Sequence, residues 1–188
     1  METLGPDDNV LCCTIIGPTP LREFIEAASA AGFSAVSVAA HDYKEARKSG
    51  LSDADLRTIL ADNGVKVAEL ECIFDAFKPL PDGQGAGFSL DLPIFGHAQE
   101  DFYAIGEAIG AGSVTIADPF PSAEPLDNMV ESFVRICDRA AEHNMRVHLN
   151  FRGCGRTPTF EWHADRERPG AQSRPDPLAR RREKRRHR

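Results

Sequence analysis

Four times in its first 150 residues, this chain ends a helix-like stretch at Gly or Asn and continues directly into an apolar run. The junctions read AAGFSAVSV, DNGVKVAEL, GAGSVTIAD and EHNMRVHLN, with the stops at Gly32, Gly64, Gly112 and Asn144. Gly and Asn tolerate the left-handed backbone conformation that closes a helix. The stops are spaced by 32, 48 and 32 residues, close to one helix-plus-strand unit. The repetition predicts an α/β fold, with parallel strands and helices packed outside the sheet.

Apolar runs and helical periodicity together predict five strands and four helices. The strands are apolar with many β-branched residues, as expected of buried parallel strands. Two helices have clear start signals, Thr19 followed by Pro20 and, later, Ser52. The segment HDYKEARKSG and the Gly- and Pro-rich residues 76–97 are predicted to be loops. The predicted strands are 10–16, 35–40, 65–72, 114–120 and 146–151; the helices lie between Thr19 and Gly32, between Ser52 and Gly64, and over 99–111 and 125–144.

Positive and negative charges are distributed unevenly along the 188 residues of the chain. Residues 163–188 carry ten Lys or Arg against four Asp or Glu, whereas residues 1–162 carry twelve against twenty-five, a net charge of −13. An acidic surface argues against a nucleic-acid groove on the folded part. The N-terminus lacks the basic and apolar regions of a secretory signal, and no apolar run approaches the length of a membrane span. We therefore expect a soluble, cytoplasmic protein without a membrane partner.

The five cysteines and the short motifs point to no particular chemistry. The cysteines have no metal-ligand spacing such as CxxC, and Cys12 and Cys13, adjacent in the first predicted strand, are expected to point to opposite faces. Inert, partly buried thiols are the favoured interpretation. Phosphate-binding, nucleophile-elbow and HExxH motifs are absent from the sequence. GQGAG lies in a loop without a preceding strand, so we do not interpret it as a phosphate cradle.

Polar side chains at the carboxyl ends of the predicted strands are the candidate site, since parallel α/β folds place their working residues there. His41 is equally compatible with a role in a pocket and with a capping role. Glu71 is expected to be partly buried, which slightly favours a role in a pocket. Asp118 before a proline is also typical of a turn, and the position of His148 does not separate a core histidine from a ligand. His143 suits the end of a helix. The strand ends supply Cys13 or Thr14, His41 with Asp42, Glu69 and Glu71, Asp118, and Asn150.

Three longer phrases resemble the xylose isomerase-like TIM-barrel family, which includes sugar (phosphate) isomerases and epimerases and is related to endonuclease IV. They are LREFIEAASAAGFSAVSV, HDYKEARKSGLSDADLRTILADNGVKVAELE and AIGEAIGAGSVTIAD. The resemblance covers residues 9–151, with a weaker continuation over 155–162. It implies an eight-stranded (β/α) barrel, a sugar or polyol substrate, and metal-assisted proton transfer or hydride shift.

The same resemblance implies a divalent metal, Mn, Mg or Zn, held partly by an acidic residue that ends the fifth strand. Asn150 stands at that position here; an amide oxygen brings no charge to a metal, so we expect weak metal binding and assign no metal ligand. We assign His41 and Glu71 as candidate catalytic residues and Asp118 and Asn150 as candidate substrate-binding residues. All four are expected to converge on one edge of the sheet.

Beyond residue 151 the pattern changes to Pro- and Arg-rich sequence. Such a composition buries too little apolar surface to offset its ordering entropy, so we expect an incomplete barrel over residues 1–162 and a disordered tail over 163–188. A frameshift that truncates the barrel after five βα units is favoured over a genuine basic extension. Weak or absent isomerase activity is then expected. The alternatives are a non-catalytic remnant that binds a small molecule or a sister subunit as a homo-oligomer and, ranked last, nucleic-acid binding through the tail.

Overall fold

The computed structural model describes residues 4–77, 92–118 and 124–150. Within these residues, five parallel strands form one sheet in the order β1-β2-β3-β4-β5, so each strand lies beside its neighbour in the sequence. This order confirms the predicted α/β architecture and fits a partial (β/α) barrel. The strands are β1 (Val10–Leu11), β2 (Ala35–Ala39), β3 (Lys66–Ile73), β4 (Ser113–Ala117) and β5 (Arg146–Asn150).

Helices connect the strands and cover one face of the sheet. The residues between β3 and α4 include a short 3-10 turn, Pro93–Phe95. The predicted disordered tail and the predicted domain boundary at residue 162 lie outside the described residues. The helices are α1 (Leu21–Ala30), α2 (Ala40–Lys48), α3 (Asp53–Asp62), α4 (Gln99–Ile109) and α5 (Leu126–Glu142).

The predicted helix stops are confirmed at three of the four junctions and displaced at the other. Gly32, Gly64 and Asn144 have φ values of 83°, 62° and 57°, so each adopts the left-handed conformation. At the third junction Gly110, with φ 76°, closes α4 instead of Gly112. Both glycines of the sequence GAG satisfy the same local rule, and the sequence pattern does not choose between them.

The segment HDYKEARKSG, predicted as a loop, is mostly the helix α2. Only Ala40 and Ala46 of this helix are buried. The helix therefore lacks the large apolar residues at helical spacing from which helices are predicted. Polar contacts involve several of its other side chains: Lys48 pairs with Glu45 at 2.6 Å, and the Tyr43 hydroxyl donates to Asp53 at 2.7 Å. Helix formation here rests on good helix-forming residues and local ion pairs.

The first strand is much shorter than the predicted residues 10–16. It ends at Leu11, and the backbone N–H of Cys13 donates to the hydroxyl of Ser37 at 2.9 Å rather than to a strand carbonyl. The N–H of Ile15 then donates to the carbonyl of Cys12 at 3.2 Å, which closes a turn. The expectation that Cys12 and Cys13 alternate within a strand is therefore wrong. Because the chain leaves the sheet after Leu11, the Cys12 thiol lies at the face that carries Glu71.

The main core lies between the sheet and helices α1, α3 and α4. Because β2 and β4 are buried along their whole length, their side chains are protected from water on both faces. Helix α5 differs: it buries Ser132, Ile136 and Ala140, while three apolar residues of the same helix, Leu126, Val130 and Val134, are exposed. The largest fully buried side chains include Ile25, Val36, Val38, Leu56, Leu70, Phe102, Tyr103, Val114 and Ile116.

None of the helices in the described ranges has both the length and the apolar composition that a membrane crossing requires.

The start of α3 carries a complete capping box, as the position of Ser52 predicts. The Ser52 hydroxyl accepts from the Asp55 N–H at 3.1 Å, and the Asp55 carboxylate accepts from the Ser52 N–H at 2.8 Å. We expect Ser52→Ala to lower the free energy of unfolding by about 1 kcal/mol, and Ser52→Gly to lower it by only a few tenths. Urea unfolding of both variants checks this. No measurable loss in either variant would show that the hydroxyl does not stabilise the helix.

Candidate functional site

The face of the sheet opposite the helices is polar, and its side chains form two rows across the strands. Strand pairing places Ser37 of β2 beside Glu69 of β3, and Thr115 of β4 beside His148 of β5. One step toward the carboxyl ends, Ala39 pairs with Glu71 and Ala117 with Asn150. Alternation along each strand puts residues two apart on the same face. The first row consists of Ser37, Glu69, Thr115 and His148, and the second of Ala39, Glu71, Ala117 and Asn150.

Glu69 is the centre of the first row. Its Oε2 accepts from the Thr115 hydroxyl at 2.8 Å and from Nδ1 of His148 at 3.1 Å. The side chains of Glu69 and His148 are 27% and 55% exposed, whereas Thr115 is buried. Two donors from two neighbouring strands thus restrain one oxygen of a carboxylate that still reaches solvent.

Glu71 lies two residues further along β3 and contacts a group from another part of the chain. Its Oε1 lies 3.4 Å from Sγ of Cys12, which donates to it from the turn after β1. Glu71 and Asn150 line one cavity of about 270 Å³ together with three residues of the first row, Glu69, Thr115 and His148. This cavity is lined by Glu69, Glu71, Thr115, His148, Leu149 and Asn150.

His41 lines a different and larger cavity, of about 860 Å³, whose described lining comes mainly from the turn after β1, the start of α1, α2 and residues 92–94. It lies in the first turn of α2 rather than in a loop. Burial raises the pKa of the neighbouring Asp42 above its usual 3.8, although the charge of His41 opposes that shift. Burial likewise raises the pKa of Cys13 to about 12, so this thiol, which also lines the larger cavity, is protonated at neutral pH. The two candidate catalytic residues, His41 and Glu71, therefore line separate cavities.

Asp118 directly follows β4, at the same end of the sheet as the other candidates. It is half-buried and is absent from the described lining of both cavities. All four predicted residues thus lie at or near the carboxyl ends of parallel strands, and the structure groups Glu71 with Asn150. Their functional roles remain predictions.

The sequence pattern does not predict the whole first row. It indicates Glu69 only as a strand-end residue, does not separate a core from a ligand role for His148, and does not single out Thr115. A signal was present for two of them: Glu69 lies two positions before Glu71, and His148 lies two positions before Asn150, whereas Thr115 is followed at that distance by Ala117. Polar residues at positions i and i+2 of an otherwise apolar strand indicate a polar sheet face.

The described residues do not fit the divalent metal site that the family resemblance implies. Among them, no group of three or more His, Cys, Asp and Glu side chains is arranged to hold a metal ion. Glu69 and His148 are in contact, but their contact is a hydrogen bond that occupies Nδ1 and Oε2. Asn150, at the end of β5, adds only a neutral amide. We therefore route no chemical step through a metal.

Several solved structures are similar to this chain in fold. A xylose isomerase domain-containing protein from Salmonella typhimurium has a TM-score of 0.58 at 11% identity, covering 74% of this chain and 47% of that one. An IolI protein with a bound zinc atom has a TM-score of 0.56 at 15% identity, covering 77% of this chain and 51% of that one. The D-psicose 3-epimerase of Clostridium cellulolyticum H10, solved with D-tagatose, has a TM-score of 0.51 at 14% identity, covering 74% of this chain and 50% of that one.

No family model matches the sequence, and no curated protein matches it significantly. The chain spans about half the length of the solved structures named above. At these identities the likeness concerns the fold alone. The strand order and helices of this chain agree with that similarity, because five parallel strands in sequence order alternate with helices that cover the sheet. Over its described residues, this chain has the partial (β/α)-barrel fold of the xylose isomerase-like TIM-barrel proteins.

Proposed function

We propose that this chain binds a small sugar or polyol on the polar face of its sheet and belongs to the isomerase and epimerase type of barrel. The observation that carries the proposal is the cavity that joins Glu69, Glu71, Thr115, His148 and Asn150. Sugar hydroxyls both donate and accept hydrogen bonds, and this set offers carboxylate acceptors beside imidazole, hydroxyl and amide groups. The sugar-directed neighbours in fold support the same class of ligand.

The size of the cavity agrees with a small ligand. Its volume is about 270 Å³, just below the roughly 300–1,000 Å³ of sites for drug-sized molecules. Leu149 is the apolar residue among its described lining. A lining so rich in polar groups favours a hydroxylated ligand over an apolar one.

For chemistry, we assign the proton-transfer roles to the carboxylates. A general base must lie within hydrogen-bonding reach of the proton that it removes, and Glu69 and Glu71 both face the cavity. Thr115 and His148 orient Glu69, and Asn150 is placed to bind a substrate hydroxyl. We propose for Glu71 the catalytic role and for Asn150 the substrate-binding role that the sequence predicts. His41 remains a candidate catalytic residue and Asp118 a candidate substrate-binding residue at the same edge of the sheet. Neither is among the described residues that line this cavity.

A non-catalytic binding protein is the second candidate function. The exposure of His148 favours it, because a solvent-exposed site screens the charges that would stabilise an oxyanion. The lack of a fitting metal group among the described residues favours it as well. The two candidates share the ligand and differ in turnover.

Titration calorimetry measures ligand binding and NMR measures turnover, and together they distinguish the two candidate functions. We expect D-tagatose, D-xylose or xylitol to bind, and Glu71→Gln to weaken binding about tenfold, since a hydrogen bond to a charged group is worth roughly 1.5–3 kcal/mol. Glu131→Gln, the same change on the exposed side of α5, is the matched control and should leave affinity unchanged. Turnover followed by NMR should be slow and should not increase with Mn²⁺, Mg²⁺ or Zn²⁺.

If none of the three compounds binds, the proposed function is wrong. Binding with no turnover supports the non-catalytic candidate. Micromolar metal affinity together with metal-dependent turnover would show that a metal site is completed by residues outside the described ranges.

A further inference from the structure

We propose that the ligand of this cavity is an uncharged sugar or polyol and that the cavity rejects phosphorylated and carboxylated sugars. This inference rests on the proposed function and sharpens it, since isomerases and epimerases act on free sugars or on sugar phosphates. The charges that face the cavity, and the hydrogen bonds that those charges already make, support this inference.

Each of the two carboxylates has one oxygen engaged within the protein. Thr115 and His148 both contact Oε2 of Glu69, and Cys12 contacts Oε1 of Glu71. Among the described residues, the other two oxygens, Oε1 of Glu69 and Oε2 of Glu71, make no further hydrogen bond. Two acceptors on residues two apart along β3 are separated by roughly 7 Å of strand, a distance that neighbouring hydroxyls of one polyol can span.

Arg, Lys and helix N-termini, which build most phosphate sites, are missing from the described lining of the cavity. The imidazole of His148, which can also carry a positive charge, already contacts Oε2 of Glu69 through its Nδ1. None of the described lining residues is Lys or Arg, and all of them lie on strands. Arg146, two residues before His148 on β5, is exposed and is not part of that lining. A phosphate placed here would face two carboxylates.

Charge beyond the cavity acts in the same direction. Residues 1–162 have a net charge of −13, so an anionic ligand approaches an acidic surface. Juxtaposed like charges discriminate strongly against a wrong partner, whereas neutral hydroxyls donate to carboxylates at no such cost. The same two side chains therefore attract a free sugar and repel its phosphate ester.

The test compares D-fructose with D-fructose 6-phosphate, a pair that differs only in the ester, by calorimetry on the full chain at low ionic strength. We expect the free sugar to bind at least about tenfold more tightly. In the double variant Glu69→Gln/Glu71→Gln, affinity for the free sugar should fall and the preference should largely disappear. Glu131→Gln is again the control and should keep the preference.

A second measurement needs no variant. Added salt should reduce the part of the preference that comes from charges outside the cavity, because interactions between exposed charges are screened beyond about 10 Å at 0.1 M ionic strength. Equal or tighter binding of the phosphate ester overturns this inference and leaves the proposed function standing. Binding of neither compound, nor of the three sugars and polyols above, overturns both. A preference that survives the double variant shows that the two carboxylates are not its source and overturns the inference.

Discussion

Leu70→Ala is expected to lower the free energy of unfolding by about 2–5 kcal/mol. Leu70 lies in β3, the central strand of the sheet, and its side chain is 0% exposed. Its removal leaves a cavity between the sheet and α4, and the neighbouring backbone is fixed by pairing with β2 and β4. A loss of this size is a large part of the total stability of an ordinary domain. Denaturant unfolding followed by circular dichroism measures it.

Leu126→Ala provides the matched control, because it deletes the same atoms from a side chain that is 66% exposed. We expect a change within about 0.5 kcal/mol, as for most surface substitutions. A comparable loss in both variants would mean that the outer side of α5 is covered in solution, for instance by a second copy of the chain. A small loss for Leu70→Ala would contradict the position of the core.

Stability is expected to fall as the pH is lowered from 6.5 to 3. Burial holds the pKa of His97 below its usual 6.5, so its contribution is present above pH 6.5 and is lost as the pH falls through the folded value. Five carboxyl groups have pKa values below their usual range because of hydrogen bonds. Their contribution is present above about pH 4.5 and is lost at lower pH. They are Asp8, Glu45, Asp55, Glu100 and Asp101.

Lys44→Met isolates one of these groups. The Lys44 ammonium donates to Asp101 at 2.8 Å, and this hydrogen bond is the main cause of the lowered pKa of Asp101. Both side chains are more than a third exposed, so we expect the variant to lose only a few tenths to about 1 kcal/mol at pH 7. The loss should shrink toward pH 3, as measured by thermal unfolding across the range. A loss that is the same at every pH would show that packing of the lysine stem is responsible.

Local rules predicted most of the fold. The left-handed stops at Gly32, Gly64 and Asn144, the capping box at Ser52 and the five parallel strands all follow from short stretches of sequence. Such rules act through the backbone conformation of a few neighbouring residues, so neighbouring residues suffice to apply them. The failures are of another kind. The helix α2 has almost no apolar periodicity, and β1 ends early because Cys13 bonds to a side chain of β2.

The candidate site was predicted by position but not by composition. Placing His41, Glu71, Asp118 and Asn150 at strand ends required only the direction of parallel strands. Which of them share a cavity depends on register: Glu71 and Asn150 line the same cavity, and His41 lines a separate one. Glu69, Thr115 and His148 come together from three strands, up to 79 residues apart in the chain.

The sequence by itself determined the order of helices and strands, their parallel direction and the edge of the sheet at which polar residues collect, because each of these follows from local propensity and chain direction. Only the tertiary structure decided which side chains touch. A shift of one residue in the pairing of β3 with its neighbours would move Glu69 and Glu71 to the face covered by helices. That pairing includes an irregularity between Val36 and Ser37, which no local pattern specifies. The polar face exists because packing of the whole sheet against its helices fixes that register.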